Sequence, residues 1–256
     1  MRDPGGVGHE LEVLKNTLIC HCLDVLFILD GRGNGPHADG MFRLRDNLIH
    51  RGWSLEWHYQ ILRDSQVHLE QLLQERRSEL AAAPNHYLTE RLKLFFLLDD
   101  VIFNALSHLD YFASFVQFII SRGQEDEKKW NSLAKTSRDS KNSISRLPVI
   151  QEIGRRHRAW IHQLQDFRGR VIHHKSTAAS HAPQVDLWSS EPTPPLRVVL
   201  PGRLSRSLPV QMTVQRDEAT PLHAAAAIVK STVGDILAIL QVLREQDQAS
   251  DAHEAT

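Results

Sequence analysis

The sequence predicts a mainly α-helical protein, a helical bundle with a small β-hairpin inserted before the last helix. Apolar residues recur every three or four positions over four long segments, which is the period of an amphipathic helix. Only Leu196–Leu200 and Val210–Val214 show the short alternating pattern of strands. The 256 residues are 41% hydrophobic and 24% charged, as in an ordinary globular protein. We expect one helical domain over residues 1–245 and a frayed tail over 246–256.

The first half of the chain predicts two helices separated by a glycine-rich loop. The first runs from about His9 to Leu29 and stops at the glycines of residues 30–36. The second runs from about Ser54 to Leu80, with the Ser54 side chain as a candidate N-cap. Residues Met41–His50 are ambiguous and fit a short helix.

The centre of the predicted fold is a pair of helices within a core at about 87–176. The segment Tyr87–Ser121 is apolar on almost every side, so other helices must cover most of it. The segment Pro148–Lys175 begins with proline, which suits the first position of a helix, and carries an apolar seam. We expect these two helices to pack antiparallel. The hairpin is expected at 195–215 and the last helix at 220–245.

Charge and cysteine content narrow the class of protein. The 30 basic and 31 acidic side chains give a net charge of -1, so any contact with a polyanion must come from a local patch. Cys20 and Cys22 would lie on roughly opposite faces of a helix and cannot bridge each other. Because the N-terminus lacks the apolar stretch of a secretory signal and polar residues interrupt the most apolar helix, we expect a cytoplasmic protein without a membrane span.

A local excess of positive charge lies at the end of the fourth predicted helix. Between Gln151 and Ser176 there are six basic residues (Arg155, Arg156, Arg158, Arg168, Arg170 and Lys175) against Glu152 and Asp166. A cationic helix end suits a polyanion such as RNA. The simpler interpretation is a solvated surface, in which Asp166 and Arg170 form an ordinary i,i+4 pair.

Two features together resemble the HEPN superfamily of bacterial helical domains. A long apolar helix contains the run Leu109-Asp110-Tyr111-Phe112, and the following helix closes on Arg168 followed five residues later by His173. The resemblance covers about Tyr87–Lys175. Many HEPN members are metal-independent ribonucleases of toxin–antitoxin and phage-defence systems. It implies RNA as substrate, a homodimer whose two motifs meet across a cleft, an antitoxin or nucleotidyltransferase partner, and no cofactor.

The resemblance also implies roles for individual residues. His173 would act as general base or acid, and Arg168 would bind the phosphate. Arg170, His174 and Lys175 would hold the RNA backbone, and Asp110 would orient the motif. The sequence departs from the family at Gly169, where the residue after the arginine is often Asn, Asp or His.

Two alternatives stay open. Residues Arg45–His50 contain the same arginine–histidine spacing, and Asp46 there fills the polar position that Gly169 leaves empty. The second alternative is a non-catalytic helical dimerisation or interaction module that keeps the HEPN fold. We expect no metal site, because ligands such as His162, Asp166 and His173 on one straight helix cannot surround an ion.

Overall fold

A computed structural model describes residues 12–17, 19–20, 37–75, 79, 84–121, 128–173, 198, 200 and 220–254. Over these residues the protein is mainly helical and contains no β-strand, which confirms the predicted α-helical class. Residues 12–17 and 19–20 are helical. The named helices are α1 (His37–Glu75), α2 (Pro84–Ile120), α3 (Trp130–Thr136), α4 (Pro148–Arg156), α5 (His162–His173) and α6 (Pro221–Glu254).

Helix α1 replaces the two separate segments predicted for this region. The predicted start at Ser54 is wrong, because α1 begins at His37 and runs without interruption to Glu75. Buried residues occur at helical spacing from Met41 through Leu48 to Leu55. Gly52, which is also buried, continues the same side one turn after Leu48. Because glycine has no apolar side chain, Gly52 does not count in a hydrophobic pattern. The sequence therefore did not predict that the buried side of α1 is continuous.

Helix α2 agrees with the long apolar helix expected at Tyr87–Ser121. It begins at Pro84, which occupies the first helical turn instead of only ending the previous segment. The short helix α3 lies between the two segments predicted as the central helix pair. Its first residue, Trp130, is fully buried, and this anchors the connection between α2 and α4.

Helices α4 and α5 form one continuous helical segment joined by a π-helical turn at His157–Ile161. Pro148 occupies the first turn of α4, as predicted. A π-turn inserts one extra residue into the helical repeat, so it changes which side chains share a face. Trp160 lies in this turn and donates a hydrogen bond to Asp235 of α6.

The predicted β-hairpin is not supported. Val198 and Leu200 are buried but do not belong to a strand, and Val210–Val214 lies outside the described residues. The last helix begins at Pro221, close to the predicted position, and continues to Glu254 into the region predicted as a frayed tail. The predicted helix end at Leu29 and the glycine-rich loop of residues 30–36 lie outside the described residues.

The chain divides into two compact units that are interleaved in sequence. The first unit comprises Met1–Ser54, Ala105–His162 and Lys230–Thr256, and the second comprises Leu55–Asn104 and Gln163–Val229. Each unit has its own apolar core. The core of the first includes Met41, Leu48, Phe112, Phe115, Trp130, Ile153, Ile161 and Ile239, and that of the second includes Leu55, Tyr59, Leu62, Leu98, Leu164 and Ile228.

Among the described residues, one helix is long and apolar enough to cross a membrane, the part of α6 from Pro221 to Gln246. Half of its most apolar window is buried inside the protein. Thr232 and Asp235 are among its buried residues. Core helices of soluble proteins can have the same length and composition. Length and apolar composition alone therefore do not distinguish a membrane-spanning helix from a core helix.

Candidate functional site

Arg168 lies on α5 in the second unit and stacks on an aromatic ring of α2. Its guanidinium carbon is 4.5 Å from the centre of the Phe103 ring. The Nε atom is buried and has no hydrogen-bond partner, and Arg168 as a whole is neither buried nor fully exposed. The ring therefore holds one face of the planar guanidinium, a group that suits recognition of an anion.

Asp99 lies on α2 close enough to this arginine for the two charges to interact. Its Oδ1 atom is buried without a hydrogen-bond partner. Burial raises the pKa of the Asp99 carboxyl above its usual value of 3.8, the positive charge of Arg168 opposes this rise, and the negative charge of Asp100 adds to it. Asp99 and Arg168 thus carry opposite charges near each other, and Oδ1 of Asp99 and Nε of Arg168 have no hydrogen-bond partner.

The same side of α2 exposes two large aromatic side chains. Phe96 is 54% exposed and Phe103 is 43% exposed, although α2 is otherwise the most apolar helix. Most other apolar residues of α2 are buried, as expected for a helix that is covered on most sides, and this strip is a side that stays open. The ring of Phe96 also lies 6.1 Å from that of the buried Phe95, which supports it from one side.

The remaining residues of the predicted motif are only partly described. Helix α5 includes Arg170 and ends at His173, but the side chains of both lie outside the description. His174 and Lys175 lie outside the described residues. At Gly169 a Cβ atom would meet nothing within 4 Å, so the space for the polar side chain found there in the family is open.

The alternative pair, Arg45 and His50, lies on α1 in the first unit. Both Nε and Nη2 of Arg45 donate to Oδ1 of Asp46, at 2.9 and 2.7 Å. The guanidinium also lies 4.7 Å from the centre of the Phe42 ring. Asp46 therefore neutralises this arginine, whereas Arg168 forms no ion pair with a described residue. Within the described part of the chain, the Arg45 guanidinium is thus paired with a carboxylate and the Arg168 guanidinium is not.

Asp110, predicted as an orienting residue, holds the start of helix α3. Its Oδ1 atom accepts a hydrogen bond from the backbone N–H of Trp130 at 3.0 Å. Such a bond caps one of the N–H groups that have no partner within the helix. A role of Asp110 in orienting the motif stays a prediction.

Sequence reasoning missed a buried charged network in the first unit. The Nη1 atom of Arg156 and the indole nitrogen of Trp160 both donate to Asp235 of α6, the latter at 2.9 Å. Burial raises the pKa of Asp235, and its two donors oppose that rise. Trp160 belongs to the π-turn, which gives this turn a polar anchor. Trp160 and Arg156 lie 75 and 79 residues from Asp235 in the sequence, so no local sequence pattern predicts these contacts.

The acidic partner on α4 extends this network to the surface. Glu152 accepts hydrogen bonds from Arg155 and Arg156. The bond from Arg155 is the largest of the effects that lower the pKa of Glu152, to about 2. Two of the six basic residues counted in the cationic helix end are thus neutralised by a neighbouring carboxylate.

A second feature that the sequence did not predict is the buried imidazole of His108 in the first unit. The side chain is fully buried, and neither ring nitrogen has a hydrogen-bond partner. Burial, together with the positive charge of Arg51, lowers the pKa of His108 to about 4. The ring is therefore neutral at physiological pH and acts as a core side chain.

The described part of the first unit also contains a groove of about 270 Å³ between helical residues near the N-terminus and α6. Asn16, Thr17, Cys20, Gln241 and Arg244 contribute its polar lining. No group of three histidine, cysteine or acidic side chains arranged to hold a metal ion occurs among the described residues.

Of the predicted site residues, the structure thus places Arg168 in a defined environment and adds Asp99, Phe96 and Phe103 to it. The assignment of the site rests on these contacts and on the resemblance in sequence. No protein-family model, curated protein or solved structure matches this chain.

Proposed function

We propose that the protein is a HEPN-like cytoplasmic protein that acts on RNA as a metal-independent endoribonuclease of the toxin–antitoxin or phage-defence type. The observation that carries this proposal is the Arg168 guanidinium, which is stacked on Phe103 and forms no ion pair within the described part of the chain. It lies five residues before His173 on the same helix, the spacing that resembles the family motif.

The chemistry divides into a proton transfer and the binding of an anion. The His173 imidazole removes the proton from a 2′-hydroxyl, and the 2′-oxygen then attacks the adjacent phosphorus. The terminal N–H groups of Arg168 bind the non-bridging oxygens, where negative charge grows in the transition state. The bond to the 5′-oxygen breaks, that oxygen takes up a proton, and a 2′,3′-cyclic phosphate remains.

A second copy of the chain completes the site in this proposal. Residues five apart on an ideal helix point about 140° away from each other, so one motif does not form a compact pocket. In a homodimer, the His173 of the second copy can protonate the leaving 5′-oxygen. Arg170, His174 and Lys175 then hold the RNA backbone on either side. An antitoxin or a nucleotidyltransferase is the proposed protein partner.

The test is RNA cleavage in EDTA by the full chain and by Arg168→Ala and His173→Ala. We expect each variant to lose roughly 10²–10⁴-fold in rate, the usual contribution of a positioned acid–base group. Arg45→Ala and His50→Ala are the matched controls, because they remove the other copy of the same pattern, and they should cleave at the wild-type rate. Thermal melts of all four variants establish that each is folded.

Three results would contradict this proposal. A wild-type chain that cuts no RNA removes the nuclease function, and equal cleavage by folded His173→Ala removes the catalytic role of that residue. Loss of cleavage in His50→Ala but not in His173→Ala would assign the site to Arg45 and His50.

Two further variants test the neighbours of the motif. Gly169→Asn places a polar side chain in open space and should raise cleavage without lowering the melting temperature. Asp110→Ala removes the cap of α3 and should cost about 1 kcal/mol of stability. If Asp110→Ala lowers cleavage far more than the small amount of unfolding explains, Asp110 also orients the motif.

A specific observation favours the second candidate function, a non-catalytic dimerisation or interaction module. Phe96 is 54% exposed and Phe103 is 43% exposed on one side of α2, and neighbouring exposed apolar side chains are typical of protein-binding surfaces. This function predicts a stable dimer or a bound protein partner together with no cleavage of RNA.

A further inference from the structure

We propose that the strip of α2 from Phe96 to Phe103, together with Arg168 of α5, binds one guanine base. The base lies between the Phe96 ring and the Arg168 guanidinium, and its Watson–Crick edge meets Asp99. We call this set of four residues the base slot. As a subsite for single-stranded RNA it rests on the proposed function, but its chemistry would also accept a free guanine nucleotide.

The spacing along α2 leaves room for one base. Phe96 and Phe103 are seven residues apart, so they lie on the same side of the helix and about 10.5 Å apart along its axis. The Arg168 guanidinium carbon lies 4.5 Å from the centre of the Phe103 ring. In this proposal it lies on the side of that ring facing Phe96, which leaves about 6 Å, close to the two stacking distances of about 3.4 Å that one inserted base requires. Small rotations of the exposed Phe96 ring supply the difference.

Both walls of the base slot are surfaces on which bases stack. The Phe96 ring is more than half exposed, and aromatic rings are the usual platforms for unpaired bases. The guanidinium of Arg168 is planar, and one of its faces is already taken by Phe103. Its other face can stack on a base while its terminal N–H groups, which point along the plane, hold a phosphate. The same arginine therefore serves the base and the backbone.

Asp99 selects guanine among the bases. It lies three residues after Phe96 and four before Phe103, hence between the two rings on the same side of the helix. Its Oδ1 atom is buried and lacks a hydrogen-bond partner, so a base meets it only when the neighbouring side chains move apart. Guanine presents two adjacent N–H donors, N1–H and the 2-amino group, to the two oxygens of a carboxylate. Adenine and cytosine place an acceptor beside their amino group, and uracil flanks its single N–H with two carbonyl oxygens.

The charged pair in the middle of the strip favours a base over a protein partner. Interface cores between proteins are depleted of charged residues, because desolvating an incompletely paired charge is costly. Here Asp99 and Arg168 both retain atoms without hydrogen-bond partners between the two exposed rings. A base satisfies the carboxylate and covers the rings at the same time, whereas an apolar helix would cover the rings and leave Asp99 unsatisfied.

The experiment measures binding of labelled uridine decamers to the full chain carrying His173→Ala, which prevents cleavage. One central position holds guanine, adenine or hypoxanthine, which lacks the 2-amino group. We expect guanine to bind at least about tenfold tighter than adenine, the discrimination typical of a good two-bond base contact, with hypoxanthine in between. This arm needs no change in the base slot, so it does not depend on the stability of a variant.

Three variants then assign the preference to residues. Asp99→Asn should abolish the preference for guanine, and Phe96→Ala should weaken the binding of every decamer. Trp57→Ala is the matched control, since Trp57 is the more exposed aromatic residue of the same unit and lies on α1. It should change neither affinity nor preference.

The remaining outcomes separate this inference from the proposed function. Tight binding without base preference overturns the base slot and leaves action on RNA standing. Binding of guanosine monophosphate over adenosine monophosphate, without binding of decamers, retains the base slot and refutes action on RNA. Binding of neither refutes both. If Phe96→Ala converts a dimer into a monomer by light scattering while base preference is unchanged, the strip is a protein interface and the inference is wrong.

Discussion

His108 shows how strongly burial alone controls the protonation of a side chain. It is fully enclosed without a hydrogen-bond partner, and its pKa falls from 6.5 to about 4. Between these pH values the unfolded chain holds the proton and the folded chain does not. Stability is therefore fully present above pH 6.5 and decreases as the pH falls, by on the order of 3 kcal/mol at pH 4.

We expect the free energy of unfolding in urea to drop between pH 7.5 and pH 5 in the wild type, and to drop much less in His108→Leu. The lowered pKa of Glu152 contributes only below about pH 4.5, so it does not interfere in this range. An equal drop in both proteins would show that His108 does not carry the dependence on pH.

The Asp235 carboxylate accepts hydrogen bonds from two residues that lie far from it in the sequence. Asp235→Ala leaves Nη1 of the partly buried Arg156 and the indole N–H of Trp160 without their acceptor, while Arg156 keeps its bond to Glu152. We expect a loss of about 1–3 kcal/mol, the usual cost of leaving a buried hydrogen-bond donor unsatisfied. Asp64→Ala is the control, because Asp64 is exposed and pairs with Arg63 at the surface. It should change the free energy of unfolding by less than about 0.5 kcal/mol.

A loss of less than about 1 kcal/mol in Asp235→Ala would contradict the anchoring role. It would mean that the cost of burying the carboxylate, which raises its pKa, nearly cancels the two hydrogen bonds.

Substitution of two glycines in helices of the first unit tests the helix packing. A Cβ atom at Gly154 of α4 would lie 2.1 Å from Oγ and 2.6 Å from Cβ of Ser137, whose hydroxyl is hydrogen-bonded to the Ala134 carbonyl. At Gly234 of α6 a Cβ atom would meet nothing within 4 Å. We expect Gly154→Ala to destabilise by about 1–3 kcal/mol through overpacking. Gly234→Ala should stabilise by up to about 1 kcal/mol through helix propensity.

Denaturation in urea of both variants checks this pair. The same sign for both changes would show that helix propensity, and not the close approach of α4 to Ser137, decides the outcome at Gly154.

Local sequence patterns predicted some helix boundaries, whereas other features of the helices depend on packing. Pro148 and Pro221 mark helix starts in the sequence because proline suits the first turn, and the structure confirms both. The unbroken course of α1 was missed because Gly52 carries its buried side across the gap between Leu48 and Leu55. The π-turn was missed as well, and its Trp160 donates a hydrogen bond to Asp235, which lies 75 residues further along the chain.

For the molecule as a whole, the apolar part of α6 raises the question of membranes. Its Asp235 is buried and hydrogen-bonded to Arg156 and Trp160, and half of the apolar window is already covered by protein. Inserting this helix into a bilayer would break those bonds and expose a carboxylate to hydrocarbon. We therefore expect the full chain to remain unbound when it is floated with neutral phospholipid vesicles. Flotation with the vesicles would contradict the packing of α6 as a core helix.

The sequence by itself determined the helical class, the approximate extent of α2, the starts of α4 and α6 and the arginine–histidine motif, because these depend on residues close together in the chain. The surroundings of Arg168 depended on the tertiary structure. Packing of α5 against α2 in the second unit brings Arg168 onto Phe103 and beside Asp99, while Phe96 stays exposed. Neither the partners of a cation nor the exposure of a ring on an apolar helix is a local property, so only the folded chain could decide them.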